Sequence, residues 1–195
     1  MDKVNGLLLI SMRSGNYKCT RRERGFTLIE LMFTAVILVV LLSLGAPMLR
    51  NLVLDQRVKT AASDVHAALI FARSEAIKRN TFVGVCAKND SGTGCQNSSD
   101  WARGWIVYID TDGNGFPGAV SDLLRRQDAI TDVTVTGTNG NVSYQGDGRL
   151  RVAPTTFVLN YPGNNDVTAR CVRLDVSGRP NVQIDTNKDS SDGCQ

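Results

Sequence analysis

Arg24-Gly25-Phe26-Thr27-Leu28-Ile29-Glu30-Leu31-Met32, running on to Pro47-Met48-Leu49, is the stretch that decides the fold. A basic patch stops at Gly25. From Phe26 to Leu49, 24 residues, the only ionisable side chain is Glu30. As a helix this run is long enough for a bilayer core of about 30 Å. Arg21, Arg22 and Arg24 precede it and, by the positive-inside rule, hold the N-terminal side in the cytoplasm. A carboxylate in such a span calls for a partner, because a charge at the centre of a membrane helix costs about 2.5–3.5 kcal/mol. Cleavage after Gly25 would supply one, since the new α-ammonium on Phe26 lies one helical turn from Glu30. That ammonium belongs either to the same chain or to a neighbour.

Gly25-Phe26-Thr27-Leu28-Ile29-Glu30, followed by a Leu/Val-rich helix and Pro47, resembles the class III signal of type IV pilins and type II secretion pseudopilins. The resemblance implies cleavage after Gly25 by a prepilin peptidase and N-methylation of Phe26. It also implies packing of residues 26–49 in a filament core, with Glu30 pairing with a neighbouring N-terminus during assembly. The expected location is the inner membrane, single pass with the C-terminal domain periplasmic, and then the pilus at the cell surface.

The rest of the composition fits a cut at this place. Residues 1–25 carry Lys3, Arg13, Lys18, Arg21, Arg22 and Arg24 against Asp2 and Glu23. Removing them from the 22 basic and 19 acidic residues of the chain leaves 16 and 17, a net charge of −1. The remaining protein is not a basic one, so any nucleic-acid contact must come from a local patch. Leu7-Leu8-Leu9-Ile10 is too short for a secretory apolar region and has no small-residue cleavage site after it. Met12 is an alternative start. Cys19 falls in the leader, which leaves Cys86, Cys95, Cys171 and Cys194 on the oxidising side, where disulfides persist. Of three connectivities, Cys86–Cys95 and Cys171–Cys194 are favoured because each closes a loop rich in Gly, Ser, Asp and Asn. The spacings match no zinc-ligand pattern.

Beyond Pro47 the helix is expected to continue to about residue 80. Val58, Ala61, Ala62, Val65, Ala68, Leu69, Ala72, Ala76 and Ile77 recur at three- and four-residue spacing, the charged residues falling largely on other faces. The stripe is rich in Ala, which lets a sheet approach the helix axis closely. From Thr81 the pattern turns to strands. These are Phe82–Cys86, Trp105–Ile109, Leu123–Arg126, Val133–Val135, Val142–Tyr144, Thr156–Leu159, Cys171–Val176 and Val182–Ile184. Asn139-Gly140 between the fourth and fifth predicts a hairpin turn. The fold class is α+β, a long N-terminal helix packed on an antiparallel β domain, divided as 1–25 leader, 26–49 membrane and filament-core helix, 50–80 amphipathic helix and 81–195 periplasmic β domain.

This order resembles the GspH/FimT branch of the pilin superfamily. The resemblance rests on the signal, the helix end Ala68–Ala76 with its Phe71-Ala72-Arg73-Ser74-Glu75 core, Gly104-Trp105, and Gly178-Arg179-Pro180. It implies a minor pilin, with other minor and major pilins as partners. A GspH-like pseudopilin of a type II secretion system is the alternative.

Chemistry in the β domain is sparse. Ser74, Ser121 and Ser143 lie in no nucleophile-elbow context, the lone His66 has no motif partner, and neither an enzyme nor a cofactor is expected. Asp110-Thr111-Asp112-Gly113-Asn114-Gly115 resembles the start of a calcium loop, but position 12 is Ser121 where a bidentate Glu is needed. A turn between strands explains the same residues. Gly148-Arg149-Leu150-Arg151 is the other candidate. In extended backbone Arg149 and Arg151 point to one side and Leu150 to the other, a pair of guanidiniums suited to phosphates. The motif resembles the Gly-Arg-x-Arg signature of FimT-type pilins, which implies capture of double-stranded DNA in natural transformation. Arg125, Arg126, Arg170, Arg173 and Arg179 are candidate auxiliary contacts. The bland reading is two solvated arginines beside Asp147.

Overall fold

The computed structural model describes residues 25–164 and 166–186, without the side chains of 44–48. The leader and Cys194 lie outside the described residues. The chain divides into two compact units between Leu42 and Ser43. Helix α1 covers Leu28–Arg79. The strands are β1 (Phe82–Ala87), β2 (Trp105–Asp110), β3 (Leu123–Arg126), β4 (Thr134–Gly137), β5 (Asn141–Tyr144), β6 (Thr155–Asn160), β7 (Arg170–Leu174) and β8 (Pro180–Ile184).

In the first unit, Thr27 caps the helix, its Oγ1 accepting from the N–H of Glu30 at 3.3 Å. Thr27-x-x-Glu30 thus has the spacing of a capping box, with Glu30 in the first turn where the helix dipole favours an anion. The described residues 25–42 are all exposed. The expected span 26–49 is not recovered as such: among the described residues no helix is long and apolar enough to cross a membrane. The described apolar run stops at Ser43, and the span needs the side chains of 44–48.

In the second unit the Ala-rich stripe is the core. Val58, Ala61, Ala62, Val65, Ala68, Leu69, Ala72 and Ala76 are all buried, joined by Leu54. Ile77, expected in the stripe, is 49% exposed. Two four-stranded antiparallel sheets cover the stripe, ordered β3-β2-β1-β5 and β4-β6-β7-β8. Val83, Val85, Val107 and Tyr144 of the first sheet and Val135, Phe157, Leu159 and Leu174 of the second share one apolar cluster with the helix. Each such side chain contributes about 1.5–3 kcal/mol on burial.

Strands β4 and β5 do not form the hairpin expected at Asn139-Gly140. β4 pairs with β6 and β5 with β1, so the turn carries the chain from one sheet to the other. Trp101 explains why. Its indole N–H donates to the Asn139 carbonyl at 3.1 Å, and its ring packs edge-on to Phe157 at 4.8 Å. A fully buried Trp outranks a two-residue turn preference. The outer face of the first sheet has a small core of its own, Cys86, Ile106 and Tyr108 with Cys95 and Leu123 against them. There Cys86 and Cys95 are joined, with an S–S distance of 2.02 Å. Cys171 is also disulfide-bonded, while the expected partner Cys194 lies outside the described residues.

Helix α1 stops at a Schellman motif. Asn80 takes the left-handed conformation, φ 50°. Thr81 N–H reaches back to the Ala76 carbonyl and Asn80 N–H to that of Ile77, at 3.2 and 3.3 Å. This is the geometry that ends helices at an Asn or Gly. It places Thr81 and Phe82 directly at the start of β1.

Candidate functional site

The Gly148-Arg149-Leu150-Arg151 segment is a turn followed by a short bridge, and not an extended strand. Gly148 N–H bonds to the Gln145 carbonyl at 2.8 Å and Gln145 N–H to that of Arg149 at 2.9 Å. Asp147 Oδ1 accepts from the N–H of Arg149 at 2.9 Å. Leu150 is buried, as expected, with its N–H on the Val176 carbonyl.

Three separate stretches meet at the Gly148 carbonyl. Arg73, from the Phe71-Ala72-Arg73-Ser74-Glu75 helix end, donates its Nε to that oxygen at 2.9 Å. Gly178, from Gly178-Arg179-Pro180, packs so closely that a methyl group on it would lie 2.2 Å from the same oxygen. Gly178 has φ +75° and Gly148 φ +79°, a region costly for other residues. The motifs that looked separate in the sequence therefore form one junction. Arg149 and Arg179 are exposed and each follows one of the touching glycines.

The two arginines of the motif have different environments, which corrects the expectation of a matched pair. Arg149 is exposed, and its guanidinium has no partner among the described residues. Arg151 turns to the Asp110–Gly115 loop. Its Nη1 donates to the Gly113 carbonyl and lies 3.8 Å from Asp110 Oδ2. Its guanidinium also stacks 5.1 Å from the centre of the Phe82 ring. The side chain nevertheless stays 42% exposed. Among the auxiliary candidates, Arg170 is largely buried beside Asp55, at 3.5 Å. Arg125 and Arg126 lie on the edge strand β3, Arg126 3.9 Å from Asp128.

The Asp110–Gly115 stretch is a turn whose acid faces inward. Asp110 is fully buried and its Oδ2 accepts from the N–H of Gly115 at 3.0 Å. The Gly115 carbonyl takes hydrogen bonds from Tyr108 Oη at 2.5 Å and Asn141 Nδ2 at 3.2 Å. Asp112 Oδ2 binds Asn114 within the turn, at 2.7 Å. The cation that faces Asp110 is the Arg151 guanidinium. Burial raises the Asp110 carboxyl above its ordinary value; the Gly115 N–H opposes this and Asp112 adds to it. Burial likewise raises the Tyr108 hydroxyl. Among the described residues no group of three or more His, Cys, Asp or Glu is placed to hold a metal ion.

Glu75, next to Arg73, pairs with Arg79 at 2.6 Å and Lys78 at 3.6 Å. The Arg79 hydrogen bond holds its carboxyl below the ordinary value. Sequence reasoning missed the roles of Trp101, in a polar stretch without strand or helix period, and of Asp110, the last residue of β2, which reads as the first residue of a solvent-facing turn. A large aromatic at position 101, between Asp100 and Ala102 in an otherwise polar stretch, is the available signal for the first.

Comparison with known proteins bears on the fold and the family. Residues 20–46 match the prokaryotic N-terminal methylation motif. The pilin-like protein PilA1 of Thermus thermophilus is 38% identical over 94 residues, 47% of this chain and 51% of that protein. The chain thus matches about half the length of this relative. Two crystal structures of the type IV minor pilin FimU of Pseudomonas aeruginosa share the fold. They have TM-scores of 0.53 and 0.51 and identities of 22% and 24%, covering 72% and 70% of this chain and 96% and 99% of theirs. Residues 61–178, which contain the helix stripe from Ala61 on, both sheets up to β7 and the Gly148–Gly178 junction, match the type II transport protein GspH family, to which the chain belongs.

Proposed function

We propose that this protein is a minor pilin that enters a type IV pilus at its initiating end or tip. The observation that carries the reading is the contrast along α1. Its first part exposes Leu28, Ile29, Leu31, Met32, Phe33 and the residues up to Leu42, with Phe26 exposed just before it and Glu30 the only charge. Its second part buries an Ala-rich stripe under two sheets. An apolar helix surface of that length, beyond the domain's own core, suits a membrane before assembly and neighbouring helices after it. Cleavage after Gly25, methylation of Phe26 and pairing of Glu30 with a neighbouring N-terminus belong to the same reading. Deletion of the gene tests it: loss of surface pili with secretion intact supports the pilus role. Loss of exoprotein secretion with pili intact supports the alternative, a minor pseudopilin of a type II secretion system.

A second function, binding of double-stranded DNA, is supported by the exposed Arg149 at the Gly148–Gly178 junction, with the exposed Arg179 next in sequence to Gly178 and Arg151 partly exposed. At a net charge of −1 after the leader, steering is weak. Affinity then falls in the range of non-specific contacts, about 10⁻⁴–10⁻⁶ M at physiological salt. A fluorescence titration with unrelated duplexes across a salt series tests it, and absence of binding at low salt would leave only the assembly role.

A further inference from the structure

A groove of about 390 Å³ opens where α1 ends, among Asn80, Thr81, Phe82, Thr111, Gln145 and Asp147. That volume lies within the range of small-ligand sites. The walls are fixed by the contacts already described: Asn80 and Thr81 by the helix cap, Gln145 and Asp147 by the Gly148 turn, and Thr111 by the loop rooted on Asp110. The polar groups on those walls are largely unspent. The side chains of Asn80, Thr81 and Thr111 make no hydrogen bond among the described residues. Asp147 uses Oδ1 on the Arg149 N–H, at 2.9 Å, and Gln145 uses one amide N–H on the Leu150 carbonyl, at 3.4 Å.

The chemistry of these groups selects a ligand class. The groove adjoins the negative end of the helix dipole and contains the Asp147 carboxylate, both of which disfavour an anion. The Arg151 guanidinium, which lies over the Phe82 wall, is engaged by Gly113, Asp110 and Phe82. A single carboxylate is too few for a metal ion. Because Arg151 occupies one face of Phe82, a nucleobase has no open sandwich there. What remains is a neutral molecule rich in hydroxyls, with C–H edges for the Phe82 wall. Paired hydroxyls both donate and accept, which matches an amide, two hydroxyls and a carboxylate oxygen converging on one space.

We propose that this groove binds a neutral saccharide, a function separate from filament assembly and from the DNA contact. The test is saturation-transfer difference NMR on the full chain in a zwitterionic detergent without a sugar headgroup. The probes are glucose, galactose, mannose and N-acetylglucosamine at millimolar concentration, with thymidine and inorganic phosphate as counter-probes. The expected result is transfer to the ring C–H protons of at least one sugar and to neither counter-probe. Thr111→Tyr, which fills the groove from an exposed loop position, and Asn80→Gly, which suits the left-handed backbone there, should each abolish transfer without lowering the melting temperature. The proposal is overturned by absence of transfer to all four sugars, by transfer that survives either variant, or by transfer to thymidine in place of a sugar.

Discussion

The Nε of Arg73 donates to the carbonyl of Gly148, 75 residues further along the chain, at 2.9 Å. This bond ties the last turns of α1 to the turn that presents Arg149. A hydrogen bond from a charged donor in a part-buried place contributes about 1.5–3 kcal/mol. Arg73→Ala should therefore lower unfolding stability by about 1–3 kcal/mol, whereas Arg149→Gln, at an exposed and unpaired position, should stay within about 0.5 kcal/mol. Urea denaturation of the two variants measures both. Equal losses would show that the junction does not depend on Arg73.

Gly178→Ala should be far worse than an ordinary glycine substitution. The new methyl would sit 2.2 Å from the Gly148 oxygen, in backbone at φ +75°. Gly163 is the matched control, with φ +82° and nothing within 4 Å of an added methyl. Gly163→Ala should cost only the left-handed penalty of about 1–2 kcal/mol. Gly178→Ala adds displacement of the whole turn and should fail to accumulate as folded protein. Expression with protease challenge distinguishes them.

The junction also shows what the sequence disclosed and what it did not. Periodicity placed the Val58–Ala76 stripe, and β-branched and aromatic runs between turn residues placed the eight strands, because both signals lie within a single segment. It could not report which segments meet, so Arg73, Gly148 and Gly178 read as three separate motifs. The Asn139-Gly140 hairpin failed for a similar reason: turn propensity is local, while the Trp101 contact that overrides it comes from 38 residues away. Arg151 read as a solvent-facing twin of Arg149 because same-side spacing presumes an extended backbone. The Asp147 turn bends that backbone, and the buried Asp110 draws one guanidinium inward.

The capping position of Glu30 and its proposed pairing with a neighbouring N-terminus separate by substitution. Its position three residues after Thr27 suits a capping box, a role that Gln fills as well as Glu. Pairing with a neighbouring α-ammonium needs the charge. Glu30→Gln should thus leave the helix start and the cleavage of the leader unchanged, yet block incorporation into filaments. Mass spectrometry of the mature N-terminus, expected at N-methylated Phe26, and immunoblots of sheared pili check the two halves. Normal incorporation of Glu30→Gln would reduce Glu30 to a capping residue.

Asp110 gives a pH dependence with a definite sign. Burial, the largest cause, raises its carboxyl above the ordinary 3.8, so the folded state holds this proton more tightly than the unfolded chain. The associated stability is present below that ordinary value and is lost as pH rises through the folded value. Asp110→Asn keeps an acceptor for the Gly115 N–H and does not titrate. Subtracting its urea midpoints from those of the parent, from about pH 3 to about pH 7, should give a difference that falls with rising pH. A difference that rises would mean that the Arg151 guanidinium outweighs the burial.

The two arginines of the Gly148–Arg151 turn should separate by readout when changed singly. Arg149 is exposed and unpaired, so under the proposed DNA reading Arg149→Gln removes one phosphate contact and nothing structural. Its DNA affinity should fall equally for unrelated duplexes, with a salt slope smaller by about 0.9, and its melting temperature should match the parent. Arg151 has two tasks, because its guanidinium holds the Gly113 carbonyl and faces Asp110 while remaining 42% exposed. Arg151→Gln leaves the buried Asp110 without its counter-charge, and loss of one partner of a buried charge is costly. This variant should melt lower than the parent whatever it does to DNA, and Asp110→Asn in the same chain should restore part of the loss. If Arg151→Gln weakens DNA binding, the Arg151→Gln/Asp110→Asn pair decides why. Binding that recovers with stability assigns Arg151 to the loop, and binding that stays weak in a restored fold assigns it to the phosphate. If Arg149→Gln leaves both affinity and salt slope unchanged, the exposed guanidinium is an ordinary surface residue and the DNA reading falls.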